Sequence, residues 1–189
     1  MKKLDALCVC VCLCLLGGCS ASEELPTQNA IDFRTALMGA KGCRFTAEVT
    51  ADYGDKVYVF SLQSETMDGE TSLQVLSPEN IAGIQATISS DGAEFEFDSV
   101  ALTFGKLANG YVSPVSVPWL LEQCWQSAYI AYAGADEEYD RVTYLRGYHE
   151  EELSVDTWFL DQIPTYAEVV WNDVRCLQVT IKDFQLIQM

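Results

Sequence analysis

Basic residues are scarce in this sequence. Lysine and arginine together number 11 against 28 aspartates and glutamates, which gives a net charge of −17. This balance excludes a nucleic-acid-binding protein, because binding to phosphates requires a basic surface. It also argues against electrostatic docking on anionic lipid headgroups, which needs clusters of lysine and arginine. We therefore expect no nucleic-acid partner.

Histidine is nearly absent, which leaves few routes to catalysis. The single histidine, His149, lies in "GYHEEEL" (147–153), a setting typical of a polar strand end or turn. A solvated imidazole is the simpler interpretation of that setting, and a hydrolase that uses His149 is a distant alternative. The glycines are scattered among turns and form no phosphate-binding loop. We expect a protein that is not an enzyme and that needs no cofactor.

Metal-binding patterns are also missing. The acidic runs "DEE" (136–138) and "EEE" (150–152) lack the spaced oxygen ligands of a dedicated calcium loop. The cysteines outside the first 20 residues are too far apart along the chain for a compact zinc site. We therefore predict no metal site.

The apolar run near the N-terminus is too short to span a membrane. It reads "ALCVCVCLCLL" (6–16), whereas a spanning helix needs about 20 residues. Its length, and the lysines at positions 2 and 3, fit a secretory signal peptide. The sequence "LGGC" (16–19) then resembles the lipobox of bacterial lipoproteins, in which a diacylglycerol is attached to the cysteine and the signal is cut before it. The alternative is a buried, cysteine-rich hairpin strand.

This resemblance implies a lipid anchor on Cys19 and removal of residues 1–18. Two acyl chains hold a protein stably at a membrane, so the implied location is the extracytoplasmic face of the cell membrane, with the membrane itself as a partner. Residues 19–29 then form a lipidated polar tether, and residues 30–189 form the folded domain. Cleavage would also remove four of the eight cysteines, which are Cys8, Cys10, Cys12 and Cys14.

Three cysteines remain in the predicted domain, namely Cys43, Cys124 and Cys176. Cys43 and Cys124 both fall on predicted inward faces, so a single disulfide, if one forms, would join these two. The alternative is three buried, reduced thiols that behave as small apolar side chains. Both possibilities stay open at the level of sequence.

The pattern of apolar residues predicts strands between two helices. Asn29 is a suitable cap for a helix "AIDFRTALMG" (30–39). Alternation of apolar and polar residues, broken by turn sequences, then predicts several antiparallel strands. They are 43–51, 56–63, 71–77, 81–89 and 93–105. The second of these is apolar on both faces, so we expect both of its faces to be covered.

The periodicity then changes. The segment "VPWLLEQCWQSAYIAYAG" (117–134) has apolar residues at helical spacing, with Pro118 in its first turn and Gly134 at its end. Four further strands are predicted, at 141–148, 152–160, 165–171 and 174–187. A long antiparallel sheet with one apolar face must have that face covered. We therefore predict an α+β fold, in which an N-terminal helix and a central helix cover a half-open antiparallel β-barrel.

Three segments carry a resemblance to a known family. They are "FTAEVTADYGDKVYVFSLQ" (45–63), "VLSPENIAGIQATISSDGAEFEFDSVAL" (75–102) and "LANGYVSPVSVPWLL" (107–121). With the lipobox and the order of elements, they resemble the LolA-like lipoproteins over residues 30–187. That group includes periplasmic lipoprotein carriers, mycobacterial lipid-carrying lipoproteins and the germination lipoproteins of spore-forming bacteria. The sequence looks most like the members from Gram-positive, Clostridia-like bacteria.

The resemblance implies a protein that binds a lipid or an acyl chain in the cavity of the half-barrel. The candidate cavity residues are Phe45, Val49, Ile84, Ile88, Phe95, Phe97, Leu120, Trp125 and Tyr129. The aromatic residues of the central helix are then a mobile lid, although ordinary core packing is the simpler interpretation of a helical apolar stripe. The alternative function is a non-enzymatic scaffold that binds an envelope or spore-cortex protein.

Overall fold

The structure is a computed structural model that describes residues 21–89, 92–96, 112–146 and 153–188. The predicted signal sequence and Cys19 lie outside these ranges, so the lipid anchor stays a prediction. Phe97 and His149 also lie outside the described residues.

Within the described residues, ten strands form a single antiparallel sheet. In chain order they are β1 (Gly42–Asp52), β2 (Val57–Met67), β3 (Glu70–Ser77), β4 (Gln85–Ser89), β5 (Gly92–Glu96), β6 (Tyr129–Asp136), β7 (Tyr139–Arg146), β8 (Leu153–Leu160), β9 (Ile163–Trp171) and β10 (Val174–Ile187). The spatial order is β5-β4-β3-β2-β1-β10-β9-β8-β7-β6. The last strand therefore pairs with the first in the middle of the sheet, and β5 and β6 are the outermost of the described strands.

Two helices accompany the sheet. Helix α1 spans Ala21–Gly39, and helix α2 spans Val117–Ser127 after the 3-10 turn Pro114–Ser116. Helix α1 contacts β6, β7 and β1 as well as α2, and α2 contacts β7. The prediction of an α+β, half-open antiparallel barrel with an N-terminal and a central helix is confirmed.

Alternation along the strands creates one buried face. In β1 the buried positions alternate with positions that are exposed or half-exposed. The buried residues are Cys43, Phe45, Ala47, Val49 and Ala51. On the neighbouring strands the partners of Ala47 are Leu62 and Ile181, which are also buried. The inner face is thus a continuous apolar surface across the centre of the sheet.

The strands of the second half follow the prediction closely, because tight turns separate them. The β8–β9 connection places Asp161 and Gln162 at φ 51° and 64°, and the β9–β10 connection places Asn172 and Asp173 at φ 48° and 61°. Two successive residues with positive φ are typical of the two-residue hairpin turns that match the twist of the sheet. Aspartate and asparagine tolerate this backbone conformation better than most residues.

The prediction that β2 is covered on both faces is wrong at its beginning. Val57, Tyr58 and Val59 are 58%, 51% and 53% exposed. They follow the turn of the β1–β2 hairpin, in which the Tyr53 N–H bonds to the Lys56 carbonyl oxygen at 2.9 Å. Branched and aromatic residues favour a strand whether or not both faces are covered. The sequence therefore identified the strand correctly but overestimated its burial.

The predicted helix over 117–134 is also wrong in its second half. Helix α2 ends at Ser127, Ala128 is extended at φ −70° and ψ 156°, and β6 begins at Tyr129. The residues after Ser127 favour a strand by composition, and pairing with β7 satisfies their backbone groups. Tyr129 and Tyr132 are consequently exposed on an edge strand and do not lie on a helix.

Helix α1 is longer than predicted. It begins at Ala21 and not near Asn29, so residues 21–29 are helical where a polar tether was expected. Pro26 lies inside the helix and is buried. The Asn29 side-chain amide donates to the Asp140 carboxylate at 2.7 Å, which attaches this part of the helix to β7.

Candidate functional site

An aromatic cluster joins both helices to the inner face of the sheet. The ring of Phe33 on α1 lies 5.7 Å from Trp125 of α2, 4.8 Å from Phe159 of β8 and 5.8 Å from Phe184 of β10, measured between ring centroids. Phe45 of β1 lies 6.0 Å from Trp125. The indole N–H of Trp125 donates to the hydroxyl of Thr157 at 3.0 Å. Trp125 is therefore buried in the apolar interior with its indole N–H hydrogen-bonded.

Most of the predicted cavity residues are buried, but they fall into separate groups. Phe45, Val49, Leu120 and Trp125 belong to the main apolar cluster. Ile88 belongs to a smaller cluster, which we call the satellite cluster, formed by Leu73, Ala86, Ile88 and Val115. Ile84 is buried as well.

The remaining candidates behave differently. Tyr129 is 60% exposed, so its placement in the interior was wrong. The error follows from the helix assignment, because Tyr129 lies on the edge strand β6. Phe95 lies on β5, where its side chain is outside the described part of the structure, and Phe97 lies outside it altogether.

The interior also contains a polar cluster that sequence reasoning missed. It consists of the buried side chains Ser64, Thr66, Thr71 and Glu122. The hydroxyls of Thr66 and Thr71, which are cross-strand partners, lie 2.8 Å apart. A signal was available, because the inward positions of β2 read Phe60, Leu62, Ser64 and Thr66 in order and change from apolar to polar.

Glu122 dominates the electrostatics of this cluster. Only 1% of its surface is exposed, and burial raises the pKa of its carboxyl to about 7, with the Thr66 hydroxyl offsetting part of that shift. One carboxyl oxygen accepts a hydrogen bond from the Gln126 amide at 2.9 Å. The pKa of the Cys43 thiol is raised to about 12, first by burial and then by the charge of Glu122.

The structure has Cys43, Cys124 and Cys176 as free, buried thiols. The Cys43–Cys124 disulfide is thus not formed in it, and the arrangement is the second of the two alternatives. Burial raises the pKa of the Cys124 thiol to about 12. The Cys176 thiol donates to the Val169 carbonyl oxygen at 3.2 Å. All three behave as small core side chains.

Arg34 connects the two helices. Its Nε donates to the Trp125 carbonyl oxygen at 2.7 Å, and its Nη2 donates to the carbonyl oxygens of Ala128 at 2.8 Å and Cys124 at 3.4 Å. Carbonyl groups in the last turn of a helix have no partner within the helix, so a guanidinium is well suited to them. Helix α2 is thereby held to α1 at its C-terminal end.

The outer face of the sheet carries a groove of about 560 Å³, which we call the outer groove. Its lining residues are Asp136, Glu137, Tyr139, Trp158, Thr165, Tyr166, Thr180 and Ile181. The indole N–H of Trp158 donates to Asp136 at 2.7 Å, and the Arg141 guanidinium lies 5.2 Å from the centroid of the Trp158 ring. Arg141 is paired in turn with Asp156 at 2.8 Å. The outer groove is acidic and aromatic, and it shares Ile181 with the main apolar cluster.

Two features are missing from the part of the chain that the structure describes. Within it, no group of three or more histidine, cysteine, aspartate or glutamate side chains is arranged to hold a metal ion. None of the helices described is both long and apolar enough to cross a membrane.

Comparison with known proteins gives structural likenesses only. No family profile and no curated protein matches the sequence. A LolA superfamily protein from Nitrosomonas europaea is 8% identical, with a TM-score of 0.45 over 90% of this chain and 96% of that one. LprF from Mycobacterium bovis is 10% identical, with a TM-score of 0.45 over 87% and 95%. A putative outer membrane lipoprotein-sorting protein domain from Vibrio parahaemolyticus is 8% identical, with a TM-score of 0.32 over 86% and 92%.

The solved structures that are similar to this chain therefore include proteins whose names refer to LolA and to lipoprotein sorting. At these identities and scores the likeness concerns the course of the chain and carries no information about ligands. The assignment to the Gram-positive type and the status as a lipoprotein stay predictions.

Proposed function

We propose that this protein is a membrane-anchored, extracytoplasmic lipoprotein that binds a lipid or acyl chain between its sheet and its helices, and that it is not an enzyme. The observation that carries the proposal is the continuous apolar inner face, which is covered by helices on an open sheet. A filled, closed barrel would leave no route for a long ligand. An open sheet whose cover includes an 11-residue helix provides one.

The mechanism is the exclusion of water from the ligand. Helix α2 moves away from the sheet, and inner-face residues such as Phe45, Val49 and Leu120 then surround the methylene groups of the acyl chain. Each buried methylene contributes about 0.8 kcal/mol, so a 16-carbon chain gains on the order of 10 kcal/mol before the costs of ordering are subtracted. Trp125 and the hydrogen bonds from Arg34 determine how readily α2 moves.

Native mass spectrometry of residues 20–189, produced in bacteria and followed by extraction with organic solvent, tests the ligand. We expect a stoichiometric adduct that is released as a lipid. A bare mass that does not change after incubation with membrane lipid would contradict the binding of acyl chains.

The anchor has its own test, which uses the full chain in cells supplied with radiolabelled palmitate. Label should appear in the wild type and should be absent from the Cys19→Ala variant. Equal labelling of both would show that Cys19 is not the lipidated residue.

The second candidate function is a scaffold that binds an envelope or spore-cortex protein. The outer groove favours it, because its aromatic and carboxylate side chains lie on an exposed face of an acidic protein. If residues 20–189 carry no lipid, recovery of a basic protein partner from the envelope that is lost on Trp158→Ala substitution would support the scaffold. Unchanged recovery by that variant would exclude the outer groove as the binding surface.

A further inference from the structure

Five buried side-chain polar atoms have no hydrogen-bond partner among the described residues, and two of them, the Nε of Arg141 and the hydroxyl of Tyr144, lie on β7. The other three lie on α2 and on the inner face of β2. They are the indole Nε1 of Trp119, the Oε2 of Glu122 and the Oγ of Ser64. Ser64 is 2% exposed and Glu122 is 1% exposed. Buried polar side chains in proteins are nearly always hydrogen-bonded. Unpaired atoms of this kind are available to a polar group that enters the interior.

The fold brings these three side chains to the same side of the interior. Trp119 and Glu122 are three residues apart on α2, so they lie on one face of the helix. Trp119 packs against the satellite cluster, which contains Leu73, the cross-strand partner of Ser64. Thr66, two residues from Ser64 on the inner face of β2, is the hydroxyl that acts on the pKa of Glu122.

The chemistry of the three groups is complementary. The indole N–H only donates, the free oxygen of Glu122 accepts when the carboxyl is ionised and can donate when it is protonated, and the Ser64 hydroxyl does both. A fatty-acid carboxylate would place a second carboxyl beside Glu122, which is unfavourable. An alkylammonium would satisfy the acceptors but would face the N–H of Trp119 with another donor. A group with hydroxyls and an ester carbonyl, in contrast, offers donors and acceptors together.

We propose that Trp119, Glu122 and Ser64 form the binding site for the polar end of the ligand and select an uncharged, hydroxyl-bearing acyl lipid of the monoacylglycerol class. This inference rests on the proposed function, since it requires that the acyl chain enters the apolar interior. It goes beyond that function by naming the chemical group that is recognised and the residues that recognise it.

The test compares two probes with the same chain, 1-monopalmitoylglycerol and methyl palmitate. The full chain is kept in solution in a non-ionic amphipathic polymer, and each probe competes with a fluorescent 16-carbon acyl probe. We expect wild-type protein to bind the glyceride about tenfold more tightly than the methyl ester, as hydrogen bonds of ordinary strength would give. Palmitate at neutral pH should bind more weakly than the glyceride.

Two substitutions locate the preference. Ser64→Ala and Glu122→Leu should each remove most of the preference for the glyceride over methyl palmitate. Ser64→Ala deletes only a single hydroxyl. It therefore still tests the preference for the glyceride if Glu122→Leu does not fold. Ser72→Ala, which makes the same change at an exposed position of β3, is the matched control and should keep the preference.

The outcomes separate the two proposals. Equal affinity of wild-type protein for the glyceride and the methyl ester would overturn this inference and leave the binding of acyl chains intact. Binding of neither probe would overturn both. A preference for the glyceride that persists in both Ser64→Ala and Glu122→Leu would show that other residues recognise the polar end.

Discussion

At the scale of single residues, Glu122 is the least expected feature of the interior. It is a carboxyl on the covered face of α2, among residues such as Leu121 and Trp125 that are fully buried. The helical pattern of the sequence identified those apolar neighbours as inward-facing. It gave no reason to place Glu122 with them, because the environment of this carboxyl includes Thr66 from a distant strand.

The ionisation of the Glu122 carboxyl should be visible in the pH dependence of the free energy of unfolding. Its pKa is raised from 4.5 to about 7 in the folded protein, so between these values the folded state binds more protons than the unfolded state. The stabilisation from its neutral form is therefore complete at low pH and is lost as the pH rises through about 7. We expect the free energy of unfolding of wild-type protein, relative to Glu122→Gln, to fall by about 2–3 kcal/mol between pH 5 and pH 8.

Chemical denaturation at a series of pH values measures this difference. Glu65→Gln, at an exposed position of β2, serves as the control and should leave the pH profile of the wild type in place. A Glu122→Gln profile parallel to that of the wild type would contradict the raised pKa.

At the scale of elements, the strands were predictable and the boundary of the second helix was not. Alternation is a local property of the sequence. It matches the burial seen in the structure along β1 and, in β10, from Leu177 to Lys182. The segment from Tyr129 onwards has apolar residues that suit either a helix or a strand. The segment forms a strand because it pairs with β7, and that pairing depends on residues outside the segment.

The attachment of α2 to α1 depends on Arg34. Removal of its guanidinium in Arg34→Ala leaves the carbonyl oxygens of Trp125 and Ala128 without this donor. We expect the free energy of unfolding to fall by about 2–3 kcal/mol, with faster amide hydrogen exchange in α2. Chemical denaturation and hydrogen-exchange mass spectrometry measure the two effects.

A matched substitution is Arg44→Ala on β1. Arg44 is exposed and donates only to the Gln185 side chain among the described contacts. The Arg44→Ala substitution should lower the free energy of unfolding by less than about 1 kcal/mol. Equal effects of the two substitutions on exchange in α2 would contradict a specific role for Arg34.

At the scale of the whole molecule, the charge is the dominant property. A net charge of −17 creates repulsion across the folded surface. The ion pairs among the described residues are few and partly exposed, and they are Arg141–Asp156, Arg175–Glu168 and Lys182–Glu48. Exposed pairs contribute little, so repulsion between carboxylates outweighs them.

Salt should therefore stabilise the protein. We expect the thermal unfolding midpoint at neutral pH to rise as sodium chloride is increased from about 0.01 M to about 0.15 M, where charges more than about 8 Å apart are screened. Differential scanning calorimetry measures the midpoint, and an uncharged solute at equal osmolarity is the control. A midpoint that falls with salt would show that attractive pairs dominate.

The sequence by itself determined the acidic charge, most strands and the α+β class, because each of these depends on composition or on the spacing of neighbouring residues. Tertiary structure alone decided that Tyr129 lies on β6, that Glu122 and Thr66 meet in the interior, and that Asp136 and Trp158 meet on the outer face. Those features arise from contacts between segments far apart in the chain. Pairing and burial across such distances follow from the register of the complete sheet, which no local pattern specifies.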